Sequence, residues 1–468
     1  MYKFPFEKKN ISKDKIAIIT KDNAKITYGQ LFKKVTYVSN LISYRSVCLI
    51  KTSNNLEGLI IYLACLQKKS VAILIDNNTK ENSFYEIINS FKPNYIFSYL
   101  GNFENVNYRK YNNEVLSNFF ILKKSKKINI NRNIALLIST SGSTGSVKFA
   151  KISYKNLQSN TINIINYLKI SQSDRTITNL PLFYSYGLSI INTHIFSGAS
   201  LILTDKALID KSSINLVKEN TITNLNGVPF TYDIIFKFKL EKYYFSNLNF
   251  LTQAGGKIKL EAFNNIISIL QNKIKFYIMY GQTEASPRMS YYLVQNKSFI
   301  NGIIGKPIKG GQFFLLDKED KKIPKPNTIG KLFYKGPNVF LGYASNILEM
   351  KNNESSMRLL DTGDMAKFNT NNQFILVSRD SRYIKIEDKR INLDDIEHKL
   401  QQNGIEVLCT GSDHLFIWYT EKGLAINKIY QIIKENFLIT KRVITLKYIS
   451  EFPKNSVGKI LYKNLLLK

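Results

Sequence analysis

Short apolar runs alternate with amphipathic stretches through roughly the first 380 residues of this chain. Val71–Ile75 (VAILI), Ala135–Ile138 (ALLI) and Ser200–Leu203 (SLIL) are continuous apolar runs of strand length, the pattern of strands buried on both faces. Between them lie stretches with helical spacing, such as Tyr154–Leu168, where Ser153 stands as an N-cap just before the periodicity starts. Strands alternating with helices predict an α/β fold, with a large N-terminal domain of mostly parallel sheets flanked by helices. The pattern changes after Ser378-Arg379. Ile384–Ile386 and Arg390–Leu393 flank the polar Glu387-Asp388-Lys389, a helix follows at Asp394–Gln402, and strands follow near Val407–Thr410 and Leu415–Tyr419. These predict a small mobile α+β C-terminal domain. The division is expected at residues 379–382, giving domains 1–379 and 380–468.

Composition narrows the class. At 468 residues and 44% hydrophobic content the chain can bury a large core and one satellite domain. The first residues carry no apolar segment of a secretory signal, and no uncharged apolar run approaches the ~20 residues of a membrane helix. Cys48, Cys65 and Cys409 show no CxxC spacing and read as reduced, buried thiols, which predicts a cytoplasmic protein without membrane insertion. His194, His398 and His414 are not spaced as a metal pair. Lysine and arginine number 66 against 35 acidic residues, a net charge of +31. The basic residues run from Lys3 to Lys468 without forming a tail, so the charge reads as compositional bias, and no nucleic-acid module accompanies it.

The chemistry starts at Ser139–Lys148 (STSGSTGSVK), which follows an apolar run. Its glycines let the backbone approach an anion, its hydroxyls and N–H groups can donate to phosphate oxygens, and Lys148 adds positive charge. The Walker A spacing is not met here or at Gly458-Lys459-Ile460, and no GxGxxG is present. A plain surface loop is the alternative reading.

Thr140-Ser141-Gly142-Ser143-Thr144-Gly145-x-x-Lys148 resembles the phosphate loop of the adenylate-forming superfamily, which includes acyl-CoA synthetases, adenylation domains of peptide synthetases and luciferases. Further motifs follow in that family's order over nearly the whole chain. Tyr280-Gly281-Gln282-Thr283-Glu284 matches YGxTE; the aromatic Tyr280 can cover the adenine face, Gly281 lets the chain turn, and the resemblance assigns Glu284 to magnesium. Gly255 and Gly256 resemble the glycine turn beside the adenine and acyl pocket. Thr362-Gly363-Asp364 resembles TGD, whose aspartate holds the ribose, with Arg379 supporting the ribose and the hinge. Pro453–Lys459 resembles PxxxxGK and makes Lys459 the lysine that bridges the carboxylate and the α-phosphate.

The resemblance therefore implies a ligase that uses ATP and magnesium to convert a small-molecule carboxylic acid, of size and polarity left open, to an acyl-adenylate, with Lys459, Thr283 and Glu284 catalytic. An ionised carboxylate needs no general base; charge repulsion and alignment are the problem to be solved. Leu180–Leu188 (LPLFYSYGL) resembles LPLFHxxGL with Tyr184 at the usual histidine, and Tyr184, Gly187, Asn226 and Gly227 are expected to line the acid pocket. No aspartate for an α-amino group stands there, which disfavours an amino-acid substrate. The acceptor loop departs from pattern. Ser381 replaces the hinge aspartate, Lys385 and Arg390 match, and Asp388 replaces a glycine close to the incoming pantetheine. Transfer to CoA or a carrier-protein thiol is expected first. The alternatives are direct transfer to an amine or hydroxyl, as in surface-glycan decoration, and a nucleotide-binding protein without catalysis.

Overall fold

The computed structural model describes residues 11–99, 103, 105–123, 129–139, 148–270, 274–295, 298–351, 359–379, 382–386, 389–421, 423–437, 439–454 and 460–466. The chain forms two compact units. The first is Met1–Ile300, Ile304–Gln312 and Tyr334–Leu360; the second is Asn301–Ile303, Phe313–Phe333 and Asp361–Lys468.

The first unit is α/β, as its hydrophobic pattern predicts. One sheet has the order Tyr343–Ala344, Phe149–Ser153, Ile134–Ser139, Val71–Asp76, Val47–Thr52, Tyr95–Ser98, Phe119–Leu122, Tyr108–Lys110. Its four central strands are parallel and its edges antiparallel. Val71–Ile75 is buried at every position, as expected of a strand covered on both faces. The helix Tyr154–Leu168 starts where the cap predicts: Ser153 Oγ accepts from the Asn156 amide, and the Asn156 side chain returns a bond to the Ser153 backbone. A second sheet joins Arg175–Ile177, Ser200–Leu203 and Ile16–Thr20 in parallel, with Lys25–Thr27 antiparallel at its edge.

The strands that matter most are Asn224–Gly227, Phe250–Gln253 and Lys275–Gly281, parallel neighbours followed by the antiparallel Arg288–Leu293. All three parallel strands end beside motif residues: Gly227, then Gly255, then Gly281 to Glu284. Ligands of open α/β sheets bind outside such carboxyl ends.

The second unit is α+β. Leu360–Phe368 pairs antiparallel with Phe374–Arg379, and Tyr383–Ile386 with Lys389–Asn392. Val407–Gly411, Leu415–Tyr419 and Ile444–Tyr448 form a three-stranded sheet. The helix Leu393–Gln402 starts one residue earlier than its spacing suggests, because Asn392 caps it by accepting from the Asp394 amide. Ile384, Ile386, Ile396, Leu400, Ile417 and Ile433 are among the core residues that bind these elements together. All three cysteines are buried and free. Among the described residues, no helix is long and apolar enough to cross a membrane.

Candidate active site

The strand Lys275–Gly281 delivers the YGQTE residues to the carboxyl edge of its sheet. Gly281 is a steric requirement: a Cβ there would fall 1.9 Å from the carbonyl oxygen of Pro287, the residue just before the neighbouring strand. Beyond it, Thr283–Ala285 forms a short 3₁₀ turn. Thr283 Oγ1 lies 3.2 Å from Ser185 Oγ, at the start of the helix Ser185–Ser197. Glu284 is half-buried, and its Oε1 accepts a hydrogen bond of 2.8 Å from the Tyr343 hydroxyl.

Tyr343 also meets Lys148, whose Nζ sits 4.0 Å from the centre of the tyrosine ring. The sheet register explains the meeting. Tyr343 pairs with Ala150 and Ala344 with Phe149, which brings Tyr343 beside the residue that precedes the strand Phe149–Ser153. Burial and the adjacent Glu284 carboxylate both push the Tyr343 phenol upward, so it stays protonated and can donate. One tyrosine thus couples the lysine at the end of the phosphate loop to the carboxylate assigned to the metal.

Glu284 Oε2 has no hydrogen-bond donor among the described residues, and no group of three or more His, Cys, Asp or Glu side chains converges there or elsewhere among them. A single carboxylate with one free oxygen fits magnesium, which is commonly held by one or two carboxylates together with substrate phosphates.

The expected acid-pocket residues lie on the same edge. Tyr184 caps the helix Ser185–Ser197, with Gly187 buried in its first turn. Gly255 adopts φ of +86°, and the Tyr184 hydroxyl comes within 3.1 Å of where a Cβ on Gly255 would stand. Gly256 accepts from Gln253 Nε2 at 2.7 Å, which closes the turn. Burial raises the Tyr184 phenol, partly opposed by nearby Arg288.

Beneath this edge runs a buried, directed chain of hydrogen bonds. Tyr186 Oη lies 2.7 Å from Thr252 Oγ1, and Thr252 Oγ1 donates to Asn226 Oδ1 at 2.6 Å. Asn226 Nδ2 donates to Asn224 Oδ1 at 2.8 Å, and Asn224 Nδ2 stands 3.2 Å from His194 Nε2. His194 Nδ1 faces the Ile190 carbonyl at 2.8 Å. A neutral ring with its proton on Nδ1 satisfies both ends, in keeping with burial, which lowers the His194 pKa.

In the second unit Asp364 and Arg379 face each other across the hairpin. Asp364 is buried, and Arg379 Nε approaches its Oδ1 at 3.3 Å while the arginine side chain is 57% exposed. Farther on, Arg382 holds Asp394 at 2.7 Å and Glu397 at 2.5 Å beneath the ring of Tyr462, whose hydroxyl donates to Glu397 at 2.9 Å.

Thr140, Ser141, Gly142, Ser143, Thr144, Gly145, Ser381, Asp388 and Lys459 lie outside the described residues. Lys385 and Arg390 lie on paired strands, opposite each other in register. Tyr280 ends its strand half-buried. Sequence reasoning missed two residues that the fold brings to this edge, Tyr343 and Arg288. A Gly-Tyr pair 59 positions from Glu284 carries no local signal, and Arg288 is one basic residue among 66.

Comparison with known proteins places these features in context. The model of the family described as AMP-binding enzyme matches residues 6–344. A 2-succinylbenzoate–CoA ligase of Oceanobacillus iheyensis is 24% identical over 97% of this chain and 97% of its own length. The hybrid synthetase acdB of Aspergillus candidus is 23% identical over 84% of this chain, which spans 16% of that much longer protein. Among solved structures, ATP-bound MatB from Rhodopseudomonas palustris superposes with a TM-score of 0.79 at 19% identity, covering 98% of this chain and 96% of that one.

Proposed function

This chain belongs to the AMP-binding enzyme family, and from that premise we propose an ATP-dependent acid–AMP ligase that passes its acyl group to a thiol. The observation that carries the reading is the coupling of Lys148, Tyr343 and Glu284 beside Thr283 at the carboxyl end of a parallel strand. Lys148, with residues 140–147, holds the β- and γ-phosphates. Glu284, oriented by Tyr343, holds magnesium, which when bound draws negative charge from the triphosphate. Asp364, buried and ion-paired with Arg379, binds the ribose hydroxyls. Tyr184, Gly187, Asn226 and Gly227 frame the acid, and Tyr280, Gly281, Gly255 and Gly256 frame the adenine. Lys459 neutralises the region between carboxylate and α-phosphate. Aligning two anions and offsetting their repulsion accounts for most of the task.

The acceptor is CoA or the pantetheine of a carrier protein. The CoA ligase name of the full-length Oceanobacillus relative supports a thiol. Asp388 supports a second reading, direct transfer to an amine or hydroxyl, because in the sequence it replaces a glycine that the resemblance puts close to the incoming thiol. One experiment separates them. The protein is incubated with ATP, magnesium and a panel of acids, and the adenylate is trapped with hydroxylamine and weighed as the hydroxamate. CoA, a carrier protein and simple amines are then offered in place of hydroxylamine. A CoA or carrier thioester is the expected product. Amide without thioester overturns the thiol acceptor, and no acid-dependent AMP or hydroxamate overturns adenylation itself.

A further inference from the structure

Arg288 has no part in the chemistry above. It opens the strand Arg288–Leu293 and is 2% exposed. Its carbonyl accepts from Asn160 Nδ2 and from Asn338 Nδ2, each at 2.8 Å, so its backbone is held whatever the side chain does. The guanidinium lies 4.5 Å from the centre of the Tyr186 ring and meets the Tyr167 hydroxyl, a neutral partner, while its Nε is buried without a hydrogen-bond partner. Among the described residues no carboxylate pairs with it.

Arginine remains cationic in proteins, and a buried charge without a counter-ion is strongly unfavourable. The face of Tyr186 offsets part of that cost. A merely structural prop on Tyr186 would be served as well by an apolar side chain, which strands no charge. The cation is therefore held for something that arrives.

The place of arrival is also present. Arg288, Tyr186, Asn226, Ser189, Thr193 and Met279, together with four aliphatic side chains, line a cavity of about 10 Å³. That is close to the space one water needs, and a carboxylate oxygen can fill it. Asn226 is one of the residues proposed to frame the acid, and Tyr186 follows directly on Tyr184 and Ser185, so on that reading the cavity stands at the far end of the acid site. Its small size calls for a short tail. The chain of hydrogen bonds through Thr252 and Asn226 fixes the Tyr186 ring, and with it the guanidinium.

Resting on the adenylation reading, we infer that Arg288 is a specificity residue that receives a second anionic group at the far end of the acid. The substrates are short dicarboxylic acids: one carboxylate is adenylated at Thr283 and Glu284 while the other pairs with Arg288.

The test compares acids matched in length, propionate with malonate, butyrate with succinate and pentanoate with glutarate, by ATP–pyrophosphate exchange in the full chain. The wild type is expected to favour a diacid over its monoacid partner about tenfold to a hundredfold in kcat/KM, the range for hydrogen bonds to a charged group. Arg288→Met, which keeps the stem and removes the charge, loses that preference while exchange with monoacids is kept or improved. Arg288→Lys keeps the preference in weakened form and serves if the methionine variant does not fold. Exchange with monoacids at least as fast as with diacids in the wild type, or an unchanged preference in Arg288→Met, overturns the role of Arg288 and leaves adenylation standing. Exchange with none of the acids counts against adenylation. Calorimetry with succinate then judges Arg288 alone: binding lost in Arg288→Met supports the site, and no binding to the wild type or equal binding to both overturns it.

Discussion

Replacing Tyr343 with phenylalanine isolates a contact that joins Lys148 to Glu284, the carboxylate proposed to hold magnesium. The ring stays, and with it the 4.0 Å approach of Lys148 Nζ; what is lost is the 2.8 Å hydrogen bond to Glu284 Oε1. A hydrogen bond to a charged group contributes roughly 1.5–3 kcal/mol. Tyr343 and Glu284 are both only half-buried, so solvent can replace part of the bond and the lower end applies. About 1.5 kcal/mol corresponds to roughly a tenfold change. Tyr343→Phe is therefore expected to lower kcat/KM for ATP about tenfold and to raise the magnesium concentration at half-maximal rate, with the melting temperature nearly unchanged. Tyr343→Leu also removes the ring beneath Lys148, worth a further ~0.5–1 kcal/mol. The assay is acid-dependent AMP formation over a matrix of ATP and magnesium concentrations. Wild-type kcat/KM and magnesium dependence in Tyr343→Phe would refute the coupling.

Three other perturbations probe separate parts of the account. Lys459→Ala is expected to slow adenylate formation by about 3 kcal/mol of transition-state stabilisation, as for loss of one preorganised donor, and near-wild-type single-turnover rates would remove its assignment. His194 is buried with its pKa lowered, so the unfolded chain binds a proton more readily; its contribution to stability is present above pH ~6.5 and is lost as pH falls below it, by up to ~1.4 kcal/mol per pH unit. Denaturation of wild type and His194→Gln between neutral and acid pH checks this, and parallel pH profiles would contradict it. Glu397→Ala leaves buried Arg382 paired with Asp394 but removes its second carboxylate and the acceptor of the Cys409 amide and the Tyr462 hydroxyl, and should destabilise the second unit by about 2 kcal/mol in urea, with a retained midpoint as the contrary result.

The sequence showed some parts of this molecule and hid others for physical reasons. Ser200–Leu203 and Val71–Ile75 were legible because uninterrupted apolar runs of strand length have few alternatives. The helix Tyr154–Leu168 was legible because Ser153 marks its start chemically. The antiparallel sheet edges were not, since Phe149–Ser153 and Arg288–Leu293 have strand composition whichever way their partners run. Glu284 and Asp364 stood out through local motifs that resemble a known family. Tyr343 and Arg288 did not. Tyr343 gains its place by pairing with a strand nearly two hundred residues earlier, and Arg288 carries no local mark of its burial, which folding alone reveals.

The most direct test of the central claim is exchange of labelled pyrophosphate into ATP, measured with and without a carboxylic acid and with and without magnesium. The account predicts exchange that requires both and that falls sharply in Glu284→Gln. Exchange independent of acid, or none across mono- and dicarboxylic acids in folded protein, would contradict it.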